Sequence, residues 1–387
     1  MKKTYNEEKN MSIQKKTEKS TVDLFNAQYS NCLKGVAVVI LLFHHCFLNK
    51  ERYAGYTLKL LFPEYYLNYL AAFGKICVSL FVLVSAYGLT KKMMSLDKKS
   101  NISYMEGSRN VICTRLVKLL GNFMFVFLCI VLACSVLSPG KLQNCYGTKF
   151  PDNAEYFLVD MFGLANYLDT PSLKATFWYY GLAIFIVLII PLLFLLLKKM
   201  NGFIFIVFMT IINFFLEFHD ANIRHYFLCI GVGMVCAYTN LITRGVQYKF
   251  SDSEVKNKII KFILEFICVF VLMVLREGPL KGRLYPVWDA VIPVVVTLFC
   301  CEFIFSVSLF NKIFHFLGIY SAGIFLIHNF IRTTWFGDFT YSFGYPVVIT
   351  LVLLADSLLA SIFVELLKKL MHFNQLIGKI TDRWRIS

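Results

Sequence analysis

The apolar run LKGVAVVILLFHHCF, Leu33–Phe47, holds Lys34 near its start and His44 and His45 near its end. Imidazole, with an unperturbed pKa of about 6.5, can take a proton from a hydroxyl near neutral pH or carry a transferred group on its ring. A lysine ammonium can hold a phosphate or a carbonyl oxygen as a point charge. Lys34 and His45 are eleven residues apart. In a helix that is about three turns and about 16 Å, so Lys34, Leu41 and His45 share a face and His44 points about 100° away. A further histidine, His328, follows Ser321 by seven residues in YSAGIFLIHNF. Two turns place that pair on one face as well. The competing reading gives none of these residues any chemistry. In it Lys34 snorkels to headgroups, and the histidines sit at an interface.

The elements that position them are membrane helices. Hydrophobic residues are 58% of the 387 and charged residues only 16%, whereas soluble domains use roughly 45–50% apolar residues. A bilayer core of about 30 Å asks for runs of about 20 apolar residues. Ten such spans are expected, near 33–49, 68–90, 116–138, 176–197, 202–218, 225–241, 259–275, 287–308, 313–331 and 345–367. The fold class is therefore all-α and polytopic. Residues 1–30 form a polar tail, 31–370 a membrane domain and 371–387 a second tail. Most of the twelve cysteines lie inside apolar runs, where they behave as small apolar residues. No Cys/His spacing suggests a metal site, and no cleavable signal peptide is expected.

The net charge of +15 is read as topology, with no nucleic-acid partner. Lys2, Lys3, Lys9, Lys15, Lys16 and Lys19 precede the first span, and Lys91, Lys92, Lys98, Lys99, Arg109 and Arg115 follow the second. Lys198, Lys199, Arg244, Lys249, Lys256, Lys258, Lys312, Lys368, Lys369, Arg383 and Arg385 fall on that same side if spans alternate. The positive-inside rule makes this side, with both termini, cytoplasmic. Segment 139–175 is then external, and His45 and His328 lie near the outer face. Lys75, Asp289 and Asp356 are further candidates as ionisable groups within spans. Trp178, Tyr179 and Tyr180 fit an interfacial aromatic belt.

LKGVAVVILLFHH resembles the first helix of the acyltransferase-3 family of membrane acyltransferases. There an arginine precedes an essential histidine by ten intervening residues. Here Lys34 stands at the arginine position and His45 at the histidine position. FVLVSAYGL (Phe81–Leu89) resembles the second-helix serine segment, with Ser85 at the serine and Ala86 where glycine is usual. TRLVKLL, FWYYGLAIFIVLIIP, YFLCIGVGMVCA and YSAGIFLIHNF resemble further family segments in order. The likeness runs from about residue 28 to 372.

The resemblance implies transfer of an acyl group, most often acetyl, from acyl-CoA to a hydroxyl of a cell-envelope polysaccharide or lipid-linked glycan. No permanently bound cofactor is implied, since acyl-CoA is a substrate. A bacterial plasma membrane is the expected location. His45 and His328 are the implied catalytic residues, His45 as base or transient acyl carrier. Lys34, Ser85, Arg115, Trp178, Tyr179 and Ser321 are implied in donor or acceptor binding, with Arg109 and Lys118 as further candidate coenzyme A contacts. Lysine at position 34 lacks the planar fork of arginine. A transporter or flippase of a glycan or lipid-linked sugar is the alternative. It is disfavoured by the lack of two similar halves and by prolines at unmatched places in their helices.

Overall fold

The computed structural model describes residues 23–282 and 284–384. The expected basic tail, Lys2 to Lys19, and Arg385 lie outside the described residues. The helices, in chain order, are α1 (Ala27–Phe47), α2 (Glu64–Phe73), α3 (Ile76–Asp97), α4 (Tyr104–Leu137), α5 (Lys141–Tyr146) and α6 (Asp152–Met161). Then come α7 (Trp178–Lys199), α8 (Gly202–Phe215), α9 (Ala221–Thr239), α10 (Leu241–Gln247), α11 (Glu254–Glu277) and α12 (Tyr285–Phe299). The chain closes with α13 (Ser308–Ile319), α14 (Ser321–Phe330), α15 (Gly337–Ser342), α16 (Pro346–Leu370) and α17 (Phe373–Asp382). Among the described residues there is no strand. Side-chain caps begin several helices: Asn26 accepts from the Tyr29 N–H at α1, and Asn201 from the Ile204 N–H at α8.

Six helices are long and apolar enough to cross a bilayer, and eight spans result if two bent pairs each count as one. Two of the ten expected spans fall short of that standard. Helix α8 has 14 residues, about 21 Å. Helix α11 has 24 residues, but Lys261, Glu265 and Arg276 interrupt its apolar run. The expected span 225–241 breaks by 63° between α9 and α10, at Asn240 with φ +54°, a left-handed conformation that asparagine tolerates. The expected span 313–331 breaks by 67° between α13 and α14. Helix α4 starts twelve residues before its expected span, so Arg109 and Arg115 stand on a helix and not in a loop. Lys75, expected within a span, sits exposed at the turn between α2 and α3.

The basic segments gather at one end of the bundle. Lys91 pairs with Asp23 at 2.6 Å and bonds Asn240. Thr243 donates to Asp23 at 2.7 Å, Lys198 pairs with Asp97 at 2.7 Å, and Asn110 bonds the Trp384 carbonyl. Residues 23 and 384 therefore lie at the same end. At the opposite end, segment 139–175 folds around the buried Asp160 carboxylate. This accepts from the Tyr146 hydroxyl (2.6 Å), the Ser172 hydroxyl (2.8 Å) and the Leu173 N–H (2.6 Å).

Helix α13 crosses α1 at backbone contact. A Cβ on Gly35 would overlap the Phe314 carbonyl, and one on Gly318 would overlap the Asn31 carbonyl. Small residues allow such close approach between membrane helices. Gln28 donates to Asn311 Oδ1 across the crossing at 2.7 Å. The chain then turns: the Ser321 hydroxyl donates to the Gly318 carbonyl at 2.8 Å, and α14 carries His328 toward the far end of α1.

Backbone atoms cannot yield as side chains do, so Gly318→Ala is expected to destabilise the protein by about 3 kcal/mol. Gly88→Ala, with nothing within 4 Å of its added methyl, is the matched control. A detergent melting curve checks this. Equal midpoints for Gly318→Ala and Gly88→Ala would contradict the crossing.

Candidate active site

The two singled-out histidines meet. The rings of His45 and His328 stand 4.9 Å apart between centroids, at 49°, although 283 residues separate them in sequence. His44 turns away as its helix position requires. It is buried against α2, with Nδ1 2.6 Å from the Ala71 carbonyl. Its ring meets His45 edge-on at 5.1 Å.

The two rings of the pair present opposite faces. Arg52, in a short 3-10 turn at Lys50–Tyr53, places Nη1 3.0 Å from His45 Nδ1 and 3.2 Å from the His45 carbonyl. Guanidinium is a donor only. His45 Nδ1 therefore accepts, and the ring hydrogen of the neutral form sits on Nε2. His328 is arranged the other way. Its Nδ1 donates to the carbonyls of Phe325 (2.8 Å) and Ile324 (3.1 Å). Its Nε2 keeps a lone pair, is fully buried and has no partner among the described residues. One ring thus offers N–H and the other a bare acceptor.

Beyond α14 the chain makes a π-helical turn, Ile331–Trp335, a distortion frequent at functional sites. The turn brings back Arg332. Its Nε and Nη2 donate to Asn329 Oδ1 at 3.2 and 3.1 Å, and its Nη1 meets the Tyr341 hydroxyl at 3.4 Å. Tyr341 donates to the Cys46 carbonyl at 3.1 Å, tying this turn to the end of α1. Tyr341 also stacks on Tyr56 at 4.8 Å. Lys174, at the end of segment 139–175, donates to Thr333 (2.5 Å) and Thr334 (3.3 Å) and lies over the Phe330 ring at 4.9 Å.

The other expected site residues are distributed around this centre. Tyr179 lies beside Ser85 and packs at 5.2 Å on Phe325, one turn before His328. Trp178 is one step farther, stacked on Tyr226 at 6.0 Å and 11°. Ser321 shares the face of His328 but uses its hydroxyl on Gly318 at the helix break. Lys34 bonds Asn31 Oδ1 at 3.1 Å, within electrostatic reach of Arg115. Both lie at the opposite end of α1 from the histidines. Lys118 lines a cleft of about 390 Å³ at that end with Asn122, Phe373 and Thr381. A larger groove, about 740 Å³ and lined by Tyr146, Phe150 and Phe157, belongs to segment 139–175 and is not lined by either histidine. Asp289 is used in a separate buried network with Arg276 (2.6 Å) and His225 (2.6 Å).

An acceptor nitrogen and a donor nitrogen stand on neighbouring rings at the end of a helix that carries a cation about 16 Å away. That arrangement suits removal of a hydroxyl proton beside a polarised carbonyl. The sequence profile described as an acyltransferase domain, Acyl_transf_3, matches residues 28–365. The chain belongs to the acyltransferase-3 family. The family match spans α1 through most of α16, so every residue of the histidine centre lies within it. No curated protein and no solved structure matches this acyltransferase-3 chain. With its apolar helices, it is a multi-pass membrane acyltransferase.

Arg52, Arg332, Tyr341 and Lys174 were not singled out from the sequence. The available signal was positive charge just beyond both histidine-bearing helices, on the side expected to be poor in it.

Burial, Lys141 and Arg332 lower the Lys174 amine to about pKa 8. Removing a nearby cation raises an amine pKa. In pH-dependent amine labelling read by mass spectrometry, Lys174 should reach half its maximal reactivity near pH 8. Arg332→Gln should move that midpoint upward. A midpoint unmoved by the substitution would separate Lys174 from the arginine.

Proposed function

We propose that this acyltransferase moves an acyl group, acetyl in the first instance, from acyl-CoA to a hydroxyl of a cell-envelope carbohydrate. It would act in a bacterial plasma membrane, with ten spans, both termini cytoplasmic and the histidine centre toward the outside. The observation that carries this reading is the complementary pair: His328 Nε2 is bare and buried beside His45, whose ring hydrogen sits on Nε2.

The chemistry follows from those atoms. The acceptor O–H donates to His328 Nε2, and the oxygen attacks the thioester carbonyl as the proton moves to the ring. His45 Nε2–H points at the carbonyl oxygen, where charge builds as the C–O bond forms. The C–S bond then breaks, the proton passes to the departing sulfur, and both rings return to their starting forms. Two positioned imidazoles make a direct transfer sufficient. Lys34 and Arg115 stand where the phosphates of the donor would lie, so its extended arm would follow α1 for about 16 Å to reach the histidines. Tyr179 and, one step farther, Trp178 form an aromatic wall beside the centre against which a sugar ring can pack, with Ser85 next to Tyr179.

General acid–base groups contribute roughly 100-fold to 10,000-fold. His328→Gln and His45→Ala, each expressed in membranes at the level of the parent, should lower acyl groups per glycan at least 100-fold. Base-labile acyl groups on purified glycan, counted by mass spectrometry, give the readout. Unchanged acylation in either variant removes that histidine from the mechanism. Failed glycan export with acyl content per glycan unchanged would instead identify a transporter.

A further inference from the structure

Most deeply buried cations in this protein are neutralised. Arg276 has Asp289 and Glu277, Lys261 has Glu302 at 2.8 Å, and Lys368 has Glu365 at 2.6 Å, each cation 2–3% exposed. Arg332 is 8% exposed, and no carboxylate pairs with it or with Arg52 among the described residues. Its partners are neutral: Asn329 Oδ1 and the Tyr341 hydroxyl. Arg52 uses Nη1 alone, on His45. The two guanidiniums also lie close enough to act on each other. Burial and then Arg332 hold the Arg52 pKa below its ordinary value. Lys174 adds a third cation through the same turn.

Holding like charges together in a partly buried place is unfavourable unless something of opposite sign occupies it. The unused donors are on planar forks, the geometry that matches a carboxylate or phosphate with two parallel bonds. Arg52 touches His45 directly, and Arg332 stands one turn beyond His328, joined to the end of α1 through Tyr341. The donor phosphates, under the transfer proposal, sit about 16 Å away beside Lys34 and Arg115.

We propose that Arg52 and Arg332 form an anion seat, and that the acceptor is an acidic glycan held there by a carboxylate or phosphate while a neighbouring hydroxyl meets His328. The identity of the acceptor rests on the transfer reading; the seat itself does not. An acid group in the seat orients the sugar, and a neutral sugar lacks that contact.

Binding needs no turnover, so it tests the seat apart from the transfer reading. Purified full-length protein in detergent is titrated with oligogalacturonate, with glucose 1-phosphate, and with carboxyl-reduced oligogalacturonate. Either acidic probe should bind, more weakly as salt rises. The reduced oligomer should not bind. Arg52→Gln and Arg332→Gln should each weaken binding roughly tenfold or more, and Arg52→Lys and Arg332→Lys should weaken it less. If a Gln variant does not run as a monodisperse peak, the Lys variant at the same site decides by its weakened and more salt-sensitive binding. Equal binding of acidic and reduced oligomers, or no binding of either acidic probe, overturns the seat. If the arginine variants lose coenzyme A binding instead, the cations serve the donor, and the acceptor assignment fails.

Discussion

The crossing of α1 and α13 at backbone contact is the constraint on which the candidate site depends. Gly35 and Gly318 leave no room for a Cβ between the helices. Helix α13 can therefore sit in only one register on α1. The break at Ser321 then redirects the chain by 67°, so the place of His328 follows from where α13 is pinned. Membrane helices gain little from hydrophobic attraction to each other, since lipid is equally apolar. Close van der Waals contact and cross-helix polar bonds supply the specificity. Gln28–Asn311 at one end of this assembly and Tyr341–Cys46 at the other do this.

Given that register, the opposite hydrogen-bonding states of the two histidines are set locally. His328 lies in a helix whose own carbonyls, three and four residues back, take up Nδ1–H. His45 ends its helix, so a residue from the following turn can reach it, and Arg52 does. Helix interior and helix end thus give two chemically different imidazoles. His44, one residue from His45, is drawn away to the Ala71 carbonyl. It helps hold α2 and leaves the centre to its neighbour.

Much of the fold was readable because it depends on short-range rules. Apolar runs located the helices, and the 3.6-residue period separated His44 from His45. Alternation of spans put the histidines at one end and the lysine-rich segments at the other. The helix breaks were not readable. Neither Asn240 nor Ser321 is a proline or glycine, and the second break lies beside Gly318, which meets a helix about 290 residues earlier. The length of α4 was hidden as well, because its first turns are polar and continue outside any apolar run. Resemblance to the family singled out His328 and Ser321 together. Spacing agreed that they share a face, yet the break at Ser321 turns that hydroxyl to the backbone. Arg52 and Arg332 escaped for a related reason. Each belongs to a short non-α turn, and their proximity arises only after two distant helix ends are joined through Tyr341.

The distribution of charge follows from the cost of placing ions among apolar helices. Helix α11 keeps Lys261 and Arg276 inward, each against carboxylates, while Phe262, Phe266, Ile267 and Phe270 face outward. Such pairing fixes helices relative to each other and offsets both buried cations. Around His45 and His328 the pattern is different: polar neighbours hold two guanidiniums in place without neutralising them. Asn329 and Tyr341 satisfy hydrogen-bond donors, which positions Arg332, but they cannot cancel its charge. A purely structural arginine would be served as well by a carboxylate at position 329. Asp338 is in fact nearby in sequence, yet its carboxylate accepts from Tyr56 at 2.5 Å. Through the Tyr56–Tyr341 stack, that acid braces the tyrosine behind Arg332 and leaves the cation free. The same segment therefore contains an acid that supports the aromatic framework and an arginine left uncompensated beside the histidines.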